Sequence, residues 1–151
     1  MSAIINVRIN KRLKEEMDKL NYINWNEVIR QAIENKIKEA KNKVIFDGER
    51  LILIDFRGVP ARGYIGKVAS DYTNKTGKVV IVIFNSGPTE TVATCRVPPT
   101  LNINALNLLM KIAYKLGGSG GGHPKACSIR VPAAHANALR RELEKLDRVM
   151  H

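Results

Sequence analysis

The string Gly117-Gly118-Ser119-Gly120-Gly121-Gly122-His123-Pro124-Lys125-Ala126 is the first place to look for chemistry in this chain. Four of the five residues from 118 to 122 are glycine, more than one tight turn requires. Backbone without Cβ atoms lets a ligand approach the amide N–H donors closely, which suits an anion such as phosphate. The string is not a nucleoside-triphosphate loop, because Lys125 is followed by Ala126 rather than Ser or Thr. Nor is it a dinucleotide fingerprint, since a helical stripe precedes the glycines and a strand follows them, the reverse of that motif. The same flanks argue against a flexible linker. A purely structural turn remains the alternative.

A second pattern lies near the start. Asn6, Arg8 and Asn10 alternate with Ile5, Val7 and Ile9, the period of a strand with one buried face. Paired antiparallel with a second copy, Ile4–Asn10 forms a ribbon that buries the three apolar residues and presents the polar ones. A two-stranded ribbon fits the major groove of DNA, where Arg favours guanine and Asn favours adenine. The alternative is a dimerisation device whose polar face is merely solvated.

Other reactive side chains are sparse. Histidine occurs only at 123, 135 and 151, and cysteine only at 95 and 127. Cys95 and Cys127 read as small core residues, too few for a disulfide framework or a zinc site. His135 and His151 read as exposed and incidental. With no ligand set for two metal ions, hydrolysis by a two-metal route is not expected, and His123 has no nucleophile to serve. No catalytic residue, cofactor or metal is assigned.

The elements that must position these residues fall into two units. In residues 1–43 the strand leads to Asn10, which caps a helix with the stripe Leu13, Met17 and Leu20. After a turn at Asn21–Ile23, Asn24 and Glu27 resemble a capping box, and a second helix runs through Val28, Ile29, Ala32, Ile33 and Ile37. Residues 44–151 alternate strands and helices: strands at 51–56, 79–84, 89–97 and 126–131, helices striped by Ile65/Val68/Ala69/Tyr72, Leu109/Ile112/Ala113/Leu116 and Leu139/Leu143/Leu146/Met150. The helix before the glycines stops at Gly117. The fold class expected is α+β, with an α/β-like second unit of a small sheet flanked by helices.

The 151 residues carry a net charge of +11, with 10 basic and 6 acidic side chains in residues 1–43 and 15 and 8 in residues 44–151. The charge is spread over both units and favours nucleic acid or another anionic surface. Apolar runs are too short to span a bilayer and the N-terminus lacks a secretory signal, so a soluble, cytoplasmic protein without a membrane partner is expected.

V-R-I-N followed by I-N-W-N-E-V-I-R resembles the ribbon-helix-helix proteins, closest to short archaeal antitoxin-type regulators, over residues 3–43. That resemblance implies that the helix start at Asn24, Trp25 and Asn26 holds a DNA phosphate through backbone amides. The Trp25 ring itself reads as a core anchor.

G-G-G-H-P-K-A at 120–126 resembles the signature of the DHH-associated domain, the C-terminal module of RecJ-like exonucleases, nanoRNases and cyclic dinucleotide phosphodiesterases. R-G-Y-I-G-K-V-A-S at 62–70, V-V-I-V-I at 79–83 and A-T-C-R at 93–96 extend the similarity over most of 48–150. The related module of alanyl-tRNA synthetases usually has Arg where this chain has His123. The resemblance implies that Gly120, Gly121, Gly122, His123 and Arg96 grip the phosphate and terminal nucleotide of a single strand, with Lys125 adding charge alone. The family commonly has small or hydroxyl residues where this chain has Val97, and Ala-Gly where it has Cys127 and Ser128. Catalysis in those relatives belongs to a preceding domain with an Asp-His-His string, which this sequence lacks.

The expectation is a non-enzymatic, homodimeric nucleic-acid-binding protein, with the ribbon on duplex DNA and the glycine string on single-stranded DNA or RNA ends or a small nucleotide. Two other classes stay open: a ligand-sensing transcriptional regulator, and an adaptor that recruits a separate nuclease or replication protein.

Overall fold

The structure, a computed structural model, describes residues 3–41, 43–59, 63 and 65–150. Arg62 and Tyr64 of the 62–70 string, and His151, lie outside the described residues. The chain divides into two compact units, Met1–Lys41 and Asn42–His151.

In the first unit the Asn10 side chain accepts the Leu13 amide at 2.7 Å and starts α1 (Lys11–Lys19). Asn24 does the same for Glu27 at 3.1 Å, opening α2 (Trp25–Lys41). The capping box is not completed as expected: Glu27 turns its carboxylate to Arg30, 2.6 Å away. The half-buried Trp25 donates its indole N–H to the Met17 carbonyl at 3.1 Å, tying the start of α2 to the end of α1. Residues 3–10 form no strand within one copy. A ribbon strand has its hydrogen-bond partners on another chain, so a single copy cannot satisfy it.

The second unit is a six-stranded sheet in the order β1-β2-β3-β4-β6-β5. The strands are β1 (Val44–Asp47), β2 (Leu51–Asp55), β3 (Val79–Ser86), β4 (Glu90–Arg96), β5 (Ser119–His123) and β6 (Ala126–Pro132). Among the described residues only β2 and β3 pair in parallel, joined through α3 (Ile65–Thr76); the other pairs are antiparallel. Alternation along the strands divides the core between two faces. Ile52, Ile54, Val80 and Val82 pack with Ile65 and Ala69 of α3. Leu51, Leu53, Ile81, Ile83, Cys95, Cys127 and Ile129 pack on the other face with Leu109 of α4 (Ala105–Lys115) and Leu139 and Leu143 of α5 (Ala136–Val149). Among the described residues, five α-helices and a mixed sheet make this an α+β fold.

Two elements differ from the sequence reading. Val44–Asp47 is an additional edge strand, β1. The glycine string is not a loop: Ser119–His123 is β5, the opposite edge, running antiparallel to β6 after a turn at Pro124-Lys125. Gly117, with φ of 74°, and the Gly118 amide, which donates to Ala113 at 2.7 Å, close α4 before β5 begins.

Candidate nucleic-acid interface

On one face of the sheet α3 packs against β3 and β4, and beyond it the face continues across β6 and β5. Register aligns its residues in rows: Val80, Arg96, Ala126 and His123, then Val82, Thr94, Ser128 and Gly121. Their neighbours along the strands, Cys95, Cys127 and Ile129, point the other way into the core. A-T-C-R and A-C-S-I-R therefore place Ala93, Cys95, Cys127 and Ile129 inward and Thr94, Arg96, Ser128 and Arg130 outward.

Between this strip and the first turn of α3 runs an open groove of about 520 Å³, lined by Gly66, Phe84, Ser86, Thr94, Arg96 and Ser128 among others. On its floor the Thr94 and Ser128 hydroxyls share a hydrogen bond of 2.9 Å. The Arg96 carbonyl accepts from the buried Thr73 hydroxyl at 3.1 Å, which fixes β4 to the end of α3. The Arg96 side chain donates from Nη1 to the Cys95 carbonyl at 2.9 Å. Behind it, the Cys95 thiol is pushed well up by its hydrogen bond to Cys127 and by burial, so the sulfur is neutral and adds no charge to the groove.

The glycines of β5 differ from one another. A Cβ on Gly120 would lie 2.6 Å from the Ser128 carbonyl oxygen, and one on Gly118 would meet the Arg130 carbonyl oxygen. Gly122 has φ of 126° and a Cβ there would lie 2.6 Å from the Ala126 carbonyl oxygen. These three glycines let β5 lie against β6. Gly121 has neither constraint: its φ is not positive and a Cβ would meet nothing within 4 Å. It sits beside Ser128 with open space where a side chain would be.

The other candidate residues are placed as follows. His123 ends β5 exposed, in the Arg96 row but two strands away, roughly 10 Å between backbones. Lys125 directs its ammonium to the Pro99 carbonyl at 3.1 Å. His135 is exposed in a short 3₁₀ turn. In the first unit Asn6, Arg8 and Asn26 are exposed, whereas the Asn10 and Asn24 side chains are occupied in capping their own helices. Gly66, Phe84, Ser86, Thr94 and Ser128 were not singled out as site residues in the sequence. Strand alternation about Arg96 carried the signal for Thr94, and the Ala-Gly departure carried it for Ser128.

A second hollow of about 550 Å³ lies beside Phe46 and α5, lined by Arg141, Glu144, Lys145, Asp147 and Arg148. Although slightly larger, it is the mixed-charge outer face of one amphipathic helix. Asp147 there is spent on the amides of Glu49, Arg50 and Leu51, at 3.2, 2.8 and 3.0 Å. Hydroxyls and arginine converge in the groove between α3 and strands β4 and β6, with Gly121 next to Ser128 on the neighbouring strand β5. Among the described residues, no three His, Cys, Asp or Glu side chains gather as metal ligands, and no helix is long and apolar enough to cross a membrane.

This fold and strip define a DHH-associated module. A family model of the DHHA1 domain matches residues 54–151, and the chain belongs to that family. Residues 5–50 match a model described as a "-like ribbon-helix-helix protein", so the chain joins a ribbon-helix-helix unit to a DHHA1 domain. No curated protein matches. Among solved structures, the C-Ala domain of Aquifex aeolicus alanyl-tRNA synthetase is similar with a TM-score of 0.57 and 19% identity, covering 72% of this chain and 97% of its own. The pGpG-specific phosphodiesterase PggH from Vibrio cholerae has a TM-score of 0.55 and 15% identity, covering 97% of this chain and 54% of its own. RecJ from Thermus thermophilus, in complex with Mg2+, has a TM-score of 0.57 and 22% identity, covering 93% of this chain and 20% of its own. The chain thus spans about half of the phosphodiesterase and a fifth of RecJ. At these identities the likeness is one of fold.

Proposed function

We propose that this chain is a non-catalytic, homodimeric nucleic-acid-binding protein, with a DHHA1 groove for single-stranded ends or small nucleotides and a ribbon for duplex DNA. The observation that carries the first half is Gly121. Its backbone and neighbours would accept a side chain, yet the position is bare beside Ser128, whose hydroxyl shares a hydrogen bond with Thr94 on the strand that holds Arg96. A position left empty for no reason internal to the fold supports an external occupant. An amide edge, hydroxyls and a guanidinium suit a phosphate and its sugar. The half-buried Phe84 supplies an apolar wall on which a base can rest. The names of the similar structures agree in kind, since one acts on pGpG and another is part of an alanyl-tRNA synthetase.

For the ribbon, the support is apolar surface left open in one copy. Ile5 and Val7 are each 72% exposed, and Ile9, Leu13, Val28, Ile29, Ile33 and Ile37 are exposed as well. Exposed apolar residues in this number support an association surface. A second copy pairing Ile4–Asn10 buries it and turns Asn6 and Arg8 outward. Hydrolysis has no part in this reading, and a separate nuclease or replication protein is the partner it accommodates.

The test is titration of a labelled, 5′-phosphorylated single-stranded oligonucleotide at several salt concentrations. Affinity should fall steeply with salt, and Arg96→Ala should weaken it and flatten the slope by about one unit. Salt-independent or absent binding overturns the groove assignment.

A further inference from the structure

We infer that Gly66 is a positioning residue, a bare helical position that seats the Arg96 guanidinium for its ligand. The inference rests on the reading of Arg96 as a phosphate contact. Gly66 is the second residue of α3 and its φ is not positive, so the backbone there does not require glycine. Within a helix, glycine is a poorer choice than alanine. Packing supplies one reason for it. Beyond its chain neighbours and its own helix backbone, the described residues place one atom within 4 Å of the position a Cβ would take: Nη2 of Arg96, at 3.1 Å.

A guanidinium is planar, and fixing its orientation takes constraints at more than one edge. Nη1 is held by the Cys95 carbonyl at 2.9 Å, while Nη2 lies against the bare backbone of Gly66. That hydrogen bond goes to a carbonyl rather than a carboxylate, so the positive charge is left for the groove. The long side chain is thereby parked before the ligand arrives, and less freedom is lost on binding. A methyl at residue 66 would press on the far end of a flexible side chain, which moves away cheaply. The fold would tolerate the change and the seat would be lost.

Stability and binding should therefore respond in opposite directions. Gly66→Ala should unfold at the same temperature as wild type or higher, since alanine favours the helix. The same variant should bind a 5′-phosphorylated single-stranded oligonucleotide about tenfold more weakly, the effect of misplacing one charge-assisted hydrogen bond. In an Arg96→Ala background the substitution should cause no further loss, because the group it displaces is gone. The Arg96 Nε–Hε resonance of the free protein should shift in Gly66→Ala, a readout that needs no ligand. An unshifted resonance overturns the inference, as does wild-type affinity in Gly66→Ala or an equal loss in both backgrounds. A wild-type protein that binds no oligonucleotide defeats the groove reading instead, while the resonance still reports on the seat.

Discussion

A Cβ at Gly120 would meet the Ser128 carbonyl oxygen, one at Gly122 the Ala126 carbonyl oxygen, and one at Gly121 nothing. The three stand together in G-G-G-H, and the resemblance to the DHH-associated domain implies one phosphate-gripping unit. Which glycines serve the fold depends on β6 behind them, and that strand is not visible in the string itself. The distinction is measurable by urea denaturation. Gly120→Ala should cost roughly 1–3 kcal/mol as overpacking against backbone, while Gly121→Ala should stay within about 0.5 kcal/mol of wild type. Asp55 gives a test of a different kind. Burial raises its pKa, but hydrogen bonds and charge from Arg57, with Nη2 at 2.8 Å, together with the charge of Arg140, hold it below the ordinary carboxylate value. A folded-state pKa below the unfolded one contributes stability above the unfolded value that is lost as pH falls through the folded value. Asp55→Asn should therefore be less stable than wild type at pH 7, by about 1–3 kcal/mol. The difference should begin to shrink below pH about 4, where the unfolded carboxyl protonates, and go on shrinking until the folded one does too.

Among the elements, α3, α4 and α5 were legible because apolar residues recur at helical spacing. β2 and β3 were legible as unbroken apolar runs. β5 was not, because its three glycines carry no hydrophobic period, and a strand made of them is recognised only by its partner. β1 was hidden for another reason: its four residues follow the lysine-rich end of α2, and its burial is partial at three of them. What holds β1 and β2 to α5 is a clamp that no local pattern announces. Asp147 accepts three amides of the turn between the strands, nearly 100 residues away in sequence. Gly48 fits beneath it, since a Cβ there would lie 2.5 Å from the carboxylate. Asp147→Ala strands those amides and should cost about 1–3 kcal/mol. Gly48→Ala should act at the same place, and the double variant should fall short of the sum. Additive losses in denaturation would contradict a shared clamp.

Across the molecule as a whole, two units with separate folds share one chain and an excess of positive charge. The first cannot bury its stripe alone. The second has its own two-faced core and an open polar strip. The alternation of Ile5, Val7 and Ile9 conveyed one apolar face, which a single copy leaves exposed and the proposed dimer would cover. Changing Val7 to Asp should yield monomers in sedimentation, and a monomeric wild type at micromolar concentration would remove the ribbon. Because Gly121 lies outside the ribbon unit, the two binding activities should be separable. The decisive measurement is single-strand and duplex binding by Gly121→Val beside wild type, with the dimer checked in the same samples. Single-strand binding should be abolished by the new side chain, while fold, dimer and duplex binding stay unchanged. A folded Gly121→Val protein that binds single strands as wild type does would show that nothing occupies the space beside Ser128, and the groove would lose its ligand.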